Sequence, residues 1–227
     1  VSGAAPLSVD TAQRFQESVG IPVYEGYGLT ETAPALTTTL VGGVPKPGSV
    51  GRPVPGVELR LLDADGDEVE VGDPGEIVVR GENLFEGYWP DGRGGPDEEG
   101  WWPTGDIGYV DPEGDLFLVD RLNELILVSG FNVYPHEVEL ILTSHPQVAE
   151  AAVVGVPHPY TGQTVKAYVV SSGPVGVQEL IAHCERSLAR FKCPTVIEFV
   201  DELPHTATGK VRKRELGTGE SVNGGSL

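Results

Sequence analysis

Val119-Asp120-Arg121-Leu122-Asn123-Glu124-Leu125-Ile126 stands where the 227-residue chain changes character. Before it, residues 51–119 carry 18 acidic and 4 basic side chains; from residue 120 onward the counts are 12 and 9. The pattern of elements changes at the same place. Between 45 and 119, prolines and glycines recur too often for long helices. Val57-Glu58-Leu59-Arg60-Leu61 alternates with a period of two, Asp63-Ala64-Asp65-Gly66 is a turn, and Glu76-Ile77-Val78-Val79-Arg80 is a further strand. A small sheet or distorted β-barrel is expected there. Beyond Arg121, Leu125–Val128 is a strand ending in a turn at Ser129-Gly130, and Pro135 suits the first position of a helix running through Leu142. Strands are predicted around 151–156 and 165–170. A second helix is predicted over 177–190, with Val177, Leu180, Ile181, Cys184 and Leu188 on one face, followed by a last strand over 195–200. That part reads as a compact α+β domain.

At the other end, Ser8 has the character of an N-cap for a helix over 9–18, with Val9, Ala12 and Phe15 on one face and Gly20 as its stop. Val23-Tyr24 is expected as a short strand leading into the glycine-rich turn Glu25-Gly26-Tyr27-Gly28. The predicted organisation is therefore 1–119, then 120–217, then a Gly/Ser-rich tail over 218–227 expected to be disordered. An apolar fraction of 39% and a charged fraction of 22% are those of a soluble globular protein. No apolar run approaches the ~18 residues of a membrane-spanning helix. Two cysteines, Cys184 and Cys193, make no disulfide framework, and a cytoplasmic location is expected. A net charge of −19 would repel phosphate backbones, which argues against nucleic acid as a partner.

Several familiar motifs begin and then fail. Gly26-x-Gly28 lacks the third glycine of a dinucleotide fingerprint, Glu31 standing in its place. Gly209-Lys210 has Pro204 where a phosphate loop needs its first glycine and Val211 where it needs Ser or Thr. His136-Glu137 is followed by Leu140 where a zinc protease needs its second histidine. Ser129 lacks the preceding glycine of a nucleophile elbow.

Four stretches survive. They are Tyr24-Glu25-Gly26-Tyr27-Gly28-Leu29-Thr30-Glu31-Thr32, Trp102-Pro103-Thr104-Gly105-Asp106-Ile107-Gly108, the segment from Val119 through Gly130 to Pro135, and Pro204-His205-Thr206-Ala207-Thr208-Gly209-Lys210-Val211. In order and spacing they resemble the adenylate-forming superfamily of acyl-CoA synthetases, luciferases and peptide-synthetase adenylation domains, over about residues 1–216. The resemblance implies a mixed α/β and α+β fold: the end of the synthetase large domain with its distorted β-barrel subdomain, then a small mobile C-terminal domain.

It also implies a chemistry. A carboxylate is a poor acyl donor, so such enzymes first join it to AMP. An anion must then attack an anionic α-phosphate, and fixed positive charge and metal must offset the repulsion. By this resemblance Glu31 helps hold Mg²⁺ and Thr30 hydrogen-bonds the α-phosphate. Tyr27 stacks on adenine, with Gly3-Ala4-Ala5 under the same base. Gly26 and Gly28 let the backbone pass close to the nucleotide. Asp106 accepts the ribose hydroxyls, and Arg121 meets ribose or phosphate from the other side. Lys210 sits between the attacking carboxylate and the phosphate oxygens, although the basic run 210–214 would also suit a solvated surface. A swing of the C-terminal domain about Asn123 then brings Ser129 and Gly130 to line a tunnel for the pantetheine thiol. That pivot is commonly Asp or Lys; Asn tolerates unusual backbone angles but carries no charge to bias the two poses.

ATP, a carboxylic acid and CoA are thus the expected substrates, with fatty acids favoured by Phe131–Glu139. An acyl-AMP ligase or a carrier-protein-loading enzyme shares every motif. A non-catalytic remnant or split subunit is a further alternative. The family's phosphate loop is found nowhere in the chain, which contains no methionine and opens at Val1. The N-terminal half is therefore expected to lie upstream, and the isolated chain is not expected to complete adenylation.

Overall fold

The computed structural model describes residues 1–3, 7–206 and 209–216. Ala4 and the tail over 218–227 lie outside the described residues. The chain divides into two compact units, Val1–Leu122 and Asn123–Leu227. The division falls a few residues beyond the composition step at 119.

In the first unit, helix α1 (Val9–Val19) begins where the extended Ser8 accepts the Thr11 N–H and ends at Gly20 in the left-handed region, φ 75°. Both ends are thereby satisfied, and the span matches the sequence reading to within a residue. Its apolar residues Val9, Phe15 and Val19 are exposed. The strand expected at Val23-Tyr24 is displaced: Glu25 pairs with Ser2, and β1 is Gly26–Tyr27, inside the motif read as a turn. The missing side chain of Gly26 explains the shift. A Cβ there would lie 3.2 Å from the Thr37 carbonyl oxygen, so glycine lets β2 (Thr37–Thr38) close against β1.

Strand β3 (Arg52–Pro53) completes an antiparallel sheet in the order β1-β2-β3. A second antiparallel sheet follows, β4 (Glu58–Leu62), β5 (Gly75–Arg80), β6 (Trp102–Val110) and β7 (Leu116–Arg121), in chain order. Among the described residues it is open, so the expected distorted barrel takes the form of two stitched sheets. The stitch is at Gly51 and Leu116: Val50 N–H donates to the Leu116 carbonyl at 2.9 Å and Leu116 N–H to that of Gly51 at 2.8 Å. Ser49 Oγ adds a third bond to the Leu116 carbonyl at 2.9 Å. A common core of Tyr27, Leu36, Leu61, Ile77, Val79, Trp102 and Leu116 lies beneath both sheets. Lys46 bridges Asp111 and Glu113, and Arg52 pairs with Asp115 at 3.1 Å, which ties the same junction on its surface.

The second unit opens with the hairpin β8 (Ile126–Val128) and β9 (Phe131–Val133), then α2 (Pro135–Thr143). Strands β10 (Val148–His158) and β11 (Gly162–Ser171) form a long antiparallel hairpin, followed by α3 (Val177–Glu185), β12 (Val196–Phe199) and α4 (Lys213–Leu216). The sheet order is β10-β11-β8-β9, with β12 parallel to β11. Helix α3 stops five residues before the expected Arg190. The apolar spacing survives its end, because a turn with Leu188 N–H on the Cys184 carbonyl at 2.8 Å still delivers Leu188 to the core. Cys184 and Cys193 are buried and free. No helix of the described residues is long and apolar enough to cross a membrane.

The junction between the sheets is a point of high steric demand. Gly51 has φ 83°, and a Cβ there would fall 2.1 Å from the Thr38 carbonyl carbon. Gly51→Ala should lower the unfolding free energy by about 3 kcal/mol or more. Gly66→Ala, at φ 89° in open space, should cost only about 1–2 kcal/mol. Urea unfolding of the two variants checks this, and equal losses would contradict it.

Candidate active site

Asp106, midway along β6, is held on both carboxylate oxygens. Its Oδ2 accepts the Tyr27 hydroxyl at 2.7 Å. Its Oδ1 lies 3.4 Å from Arg121 Nε, directly across the β6–β7 ladder. The backbone beneath is held as well: Asp106 N–H donates to Thr104 Oγ1 at 3.1 Å, and Thr104 Oγ1 donates to the Ile77 carbonyl at 2.8 Å. The Asp106 side chain is 13% exposed, enough for one small ligand group to reach it. Burial first, and then the Asp106 charge, push the Tyr27 hydroxyl far above its ordinary value. It is therefore a committed proton donor at neutral pH. The ring itself is buried in the core, at 8% exposure.

Gly3 lies beside this strand, where its Cβ would be 3.5 Å from the Gly26 carbonyl oxygen. The glycines read as space for a nucleotide serve the chain itself. Gly26 faces the Thr37 carbonyl, and a Cβ on Gly28 would sit 1.9 Å from that of Pro34.

Thr30 and Glu31 open a 3₁₀ turn, Thr30–Thr32. The buried Thr32 locks it, accepting the Leu29 N–H and donating to the Leu29 carbonyl, both at 2.9 Å. Phe85 N–H donates to the Glu31 carbonyl at 2.8 Å, and Tyr88 Oη donates to Glu31 Oε1 at 2.7 Å. That bond, reinforced by burial, raises the Tyr88 hydroxyl above its ordinary value. Oε2 has no partner among the described contacts. Among the described residues no three His, Cys, Asp or Glu side chains gather as a metal cage. One carboxylate with a free oxygen suits Mg²⁺, which binds through one or two carboxylates together with substrate phosphates and water.

The remaining candidates belong to the second unit. Ser129 and Gly130 have φ 51° and 84°, both positive as a tight two-residue hairpin requires. A Cβ on Gly130 would meet nothing within 4 Å. Asn123 is the first residue of this unit, in the 3₁₀ turn Leu122–Glu124. Lys210 is exposed on a hairpin in which Thr206 N–H donates to its carbonyl at 2.8 Å and its own N–H donates to Thr206 Oγ1 at 3.1 Å. Within the basic run 210–214, Lys213 departs from the solvated reading: it is paired and mostly buried, at 17% exposure.

The structure thus brings Tyr27, Asp106 and Arg121 together and sets Glu31 against Tyr88. Sequence reasoning missed Thr104 as a support, Tyr88 as the partner of Glu31, and Lys213. Thr104 lay inside a motif already quoted. Tyr88 lies 57 residues from Glu31 and had no local pattern to announce it.

The first unit thus presents one supported carboxylate beside stitched antiparallel sheets, and the α+β unit presents a lysine hairpin. Comparison with known proteins gives the family. The model of the AMP-binding enzyme family matches residues 1–89, and that of the AMP-binding enzyme C-terminal domain matches 137–210. The chain belongs to the AMP-binding, adenylate-forming enzyme family. It is 43% identical over 219 residues to a long-chain-fatty-acid–CoA ligase of Yersinia pestis, covering 95% of this chain and 39% of that protein. It is 44% identical over 200 residues to a 2-succinylbenzoate–CoA ligase of Bacillus cereus, covering 87% and 41%. Among solved structures, ATP-bound MatB from Rhodopseudomonas palustris superposes with a TM-score of 0.87 at 38% identity, over 95% of this chain and 44% of that one. The o-succinylbenzoate CoA synthetase of Bacillus subtilis with its acyl-adenylate gives 0.83 at 35% identity, over 99% and 46%. The chain spans about two fifths of the length of the curated relatives it matches.

The Tyr27–Asp106 bond has a measurable signature. The folded value of the phenol lies above its ordinary 10.0. The stability carried by its protonated form is therefore whole below about pH 10 and is lost as pH rises toward the folded value. Urea midpoints should fall more steeply above about pH 10 in the native chain than in Tyr27→Phe. At neutral pH, Tyr27→Phe should itself cost about 1–3 kcal/mol. Parallel pH profiles would contradict the assignment.

Proposed function

We propose that the chain is part of an ATP-dependent acid–thiol ligase that converts a carboxylic acid, in the first instance a fatty acid, to its acyl-adenylate and then to its CoA thioester. The observation that carries this reading is the doubly held Asp106. A carboxylate can accept two vicinal hydroxyls, one on each oxygen, and charge-assisted bonds of this kind are the strong ones. Tyr27 and Arg121 hold the Asp106 carboxylate in one plane. A ribose presents such a pair of hydroxyls.

The other roles follow from the chemistry of the residues. In the first step an acid oxygen attacks the α-phosphorus and pyrophosphate leaves. Thr30 donates its hydroxyl to an α-phosphate oxygen, and Lys210 supplies a flexible point charge to the two anions. Glu31 would hold Mg²⁺ through Oε2 while Tyr88 fixes Oε1. The metal would supply neutralisation of phosphate charge. Gly3, beside β1, and the exposed edge of Tyr27 would face the adenine. In the second step the CoA thiol loses its proton, sulfur attacks the acyl carbon and AMP leaves. The bare turn at Ser129-Gly130 offers an unobstructed backbone for the pantetheine arm, and Asn123 is the pivot. ATP and CoA as co-substrates favour the cytoplasm as the working compartment. The matched relatives support CoA as the acceptor and differ in the acid they name.

Calorimetry with a non-hydrolysable acyl-sulfamoyl adenosine tests the reading. Saturable one-site binding is expected, with Asp106→Ala weaker by at least tenfold, about 1.4 kcal/mol, and no heat from NAD⁺. Absence of binding, or binding indifferent to Asp106, would remove the assignment.

A further inference from the structure

Lys213 lies three residues beyond Lys210, in the short helix α4. Its Nζ is 2.8 Å from Glu139 Oε1 on α2 and 2.8 Å from Glu124 Oε2 in the 3₁₀ turn that opens the second unit. Glu139 Oε1 also accepts the Val153 N–H of β10 at 2.8 Å. One ammonium therefore joins two elements to α4, and Glu139 extends the link to β10. Burial opposes the charge on Glu139 most strongly. His136 and Lys213, with the Val153 N–H, outweigh it and hold the carboxyl below its ordinary value.

The other fixings of the segment thus anchored include packing, backbone bonds and a pair of His205 with Glu150 at 3.7 Å. α4 is four residues long, too short to be stable by itself. Its Leu216 carbonyl accepts the Tyr168 hydroxyl at 2.6 Å, and Val211 and Leu216 pack on Ala152, Tyr168 and Leu203. Upstream, Arg212 N–H donates to the Pro204 carbonyl at 2.7 Å and His205 pairs with Val211, which closes the hairpin that carries Lys210. Buried ion pairs contribute little net stability against an apolar replacement, yet removal of one partner strands the other. Their best-attested use is to hold one arrangement in register.

We infer that Lys213 is a positioning residue for Lys210: its paired bonds to Glu124 and Glu139 lock the lysine hairpin to the body of the second unit and to the turn that begins it. This deepens the proposed function and rests on the reading of Lys210 as the charge that meets the phosphate. A flexible lysine stem on a loose hairpin would spread its charge over many positions. The clamp leaves only the side chain to move.

Hydrogen exchange on the full chain tests the clamp. In Lys213→Met, amides of residues 205–212 should exchange at least tenfold faster while those of β10 and β11 keep their rates. Lys213→Arg, which restores the charge, should recover most of the protection. Glu124→Gln leaves the Glu139 pair intact and should give a smaller rise confined to the same segment, a reading that survives if Lys213→Met does not fold. Unchanged rates at 205–212, or an equal rise throughout the unit, would overturn the inference. Affinity for acyl-sulfamoyl adenosine separates this from the reading beneath it. Lys210→Ala should weaken binding without altering exchange, and adding Lys213→Met should weaken it no further. If Lys210→Ala leaves affinity unchanged, the role of Lys210 falls, whatever the exchange at 205–212 shows of the clamp.

Discussion

The ribose-binding role proposed for Asp106 asks that a carboxylate be accessible to its ligand yet unable to turn away from it. Asp106 meets both demands through the neutral phenol of Tyr27, which bonds one oxygen at 2.7 Å, and the Arg121 guanidinium, which stands beside the other. The two supports arrive by different routes. Arg121 is the ladder partner of Asp106, so any sheet with this register provides it. Tyr27 comes from the other sheet, which is joined to this one by the Gly51–Leu116 pairing just before β3 and by a shared core. The glycines around this junction are explained by contact of backbone with backbone. The architecture of the first unit can thus be understood as what is needed to bring one phenol to one carboxylate.

The second unit obeys a similar economy with opposite charge. Lys210 stays exposed, while Lys213, in the same basic run, is drawn inside between two carboxylates. A chain with a net charge of −19 has few cations, and several of them sit where segments far apart in sequence must be held. Lys46 and Arg52 brace the sheet junction, Lys192 joins the 3₁₀ turn after α3 to Glu137 on α2, and Lys213 gathers α2 and the opening turn.

Local signals were legible where the physics is local. The Ser8 cap and Gly20 stop delimited α1, and Pro135 placed the start of α2. The period-two text of 57–61 and 76–80 located β4 and β5. The sequence misled where a pattern outlives the element that produced it. Leu188 keeps helical spacing after α3 has ended, and Gly26-Tyr27 reads as part of a turn although β2 pairs with it as a strand. The four-residue α4 carries too little pattern to be seen. Asp106, Arg121, Glu31 and Lys210 could be named as candidates from motif text, because each lies in a contiguous run. Their supports could not. The Tyr88–Glu31 and Lys213–Glu139 contacts join residues 57 and 74 positions apart, and no periodicity reports a contact made only by tertiary folding.

If the Tyr27 hydroxyl exists to aim Asp106 at a ribose, its value should vanish when the ribose hydroxyls do. A thermodynamic cycle that combines Tyr27→Phe with an acyl-sulfamoyl ligand lacking both the 2′ and 3′ hydroxyls measures that dependence directly. The account predicts that each change alone weakens binding and that the two together weaken it by little more than the larger one. Losses that simply add would show that Tyr27 and the sugar act independently, and would contradict the account at its centre.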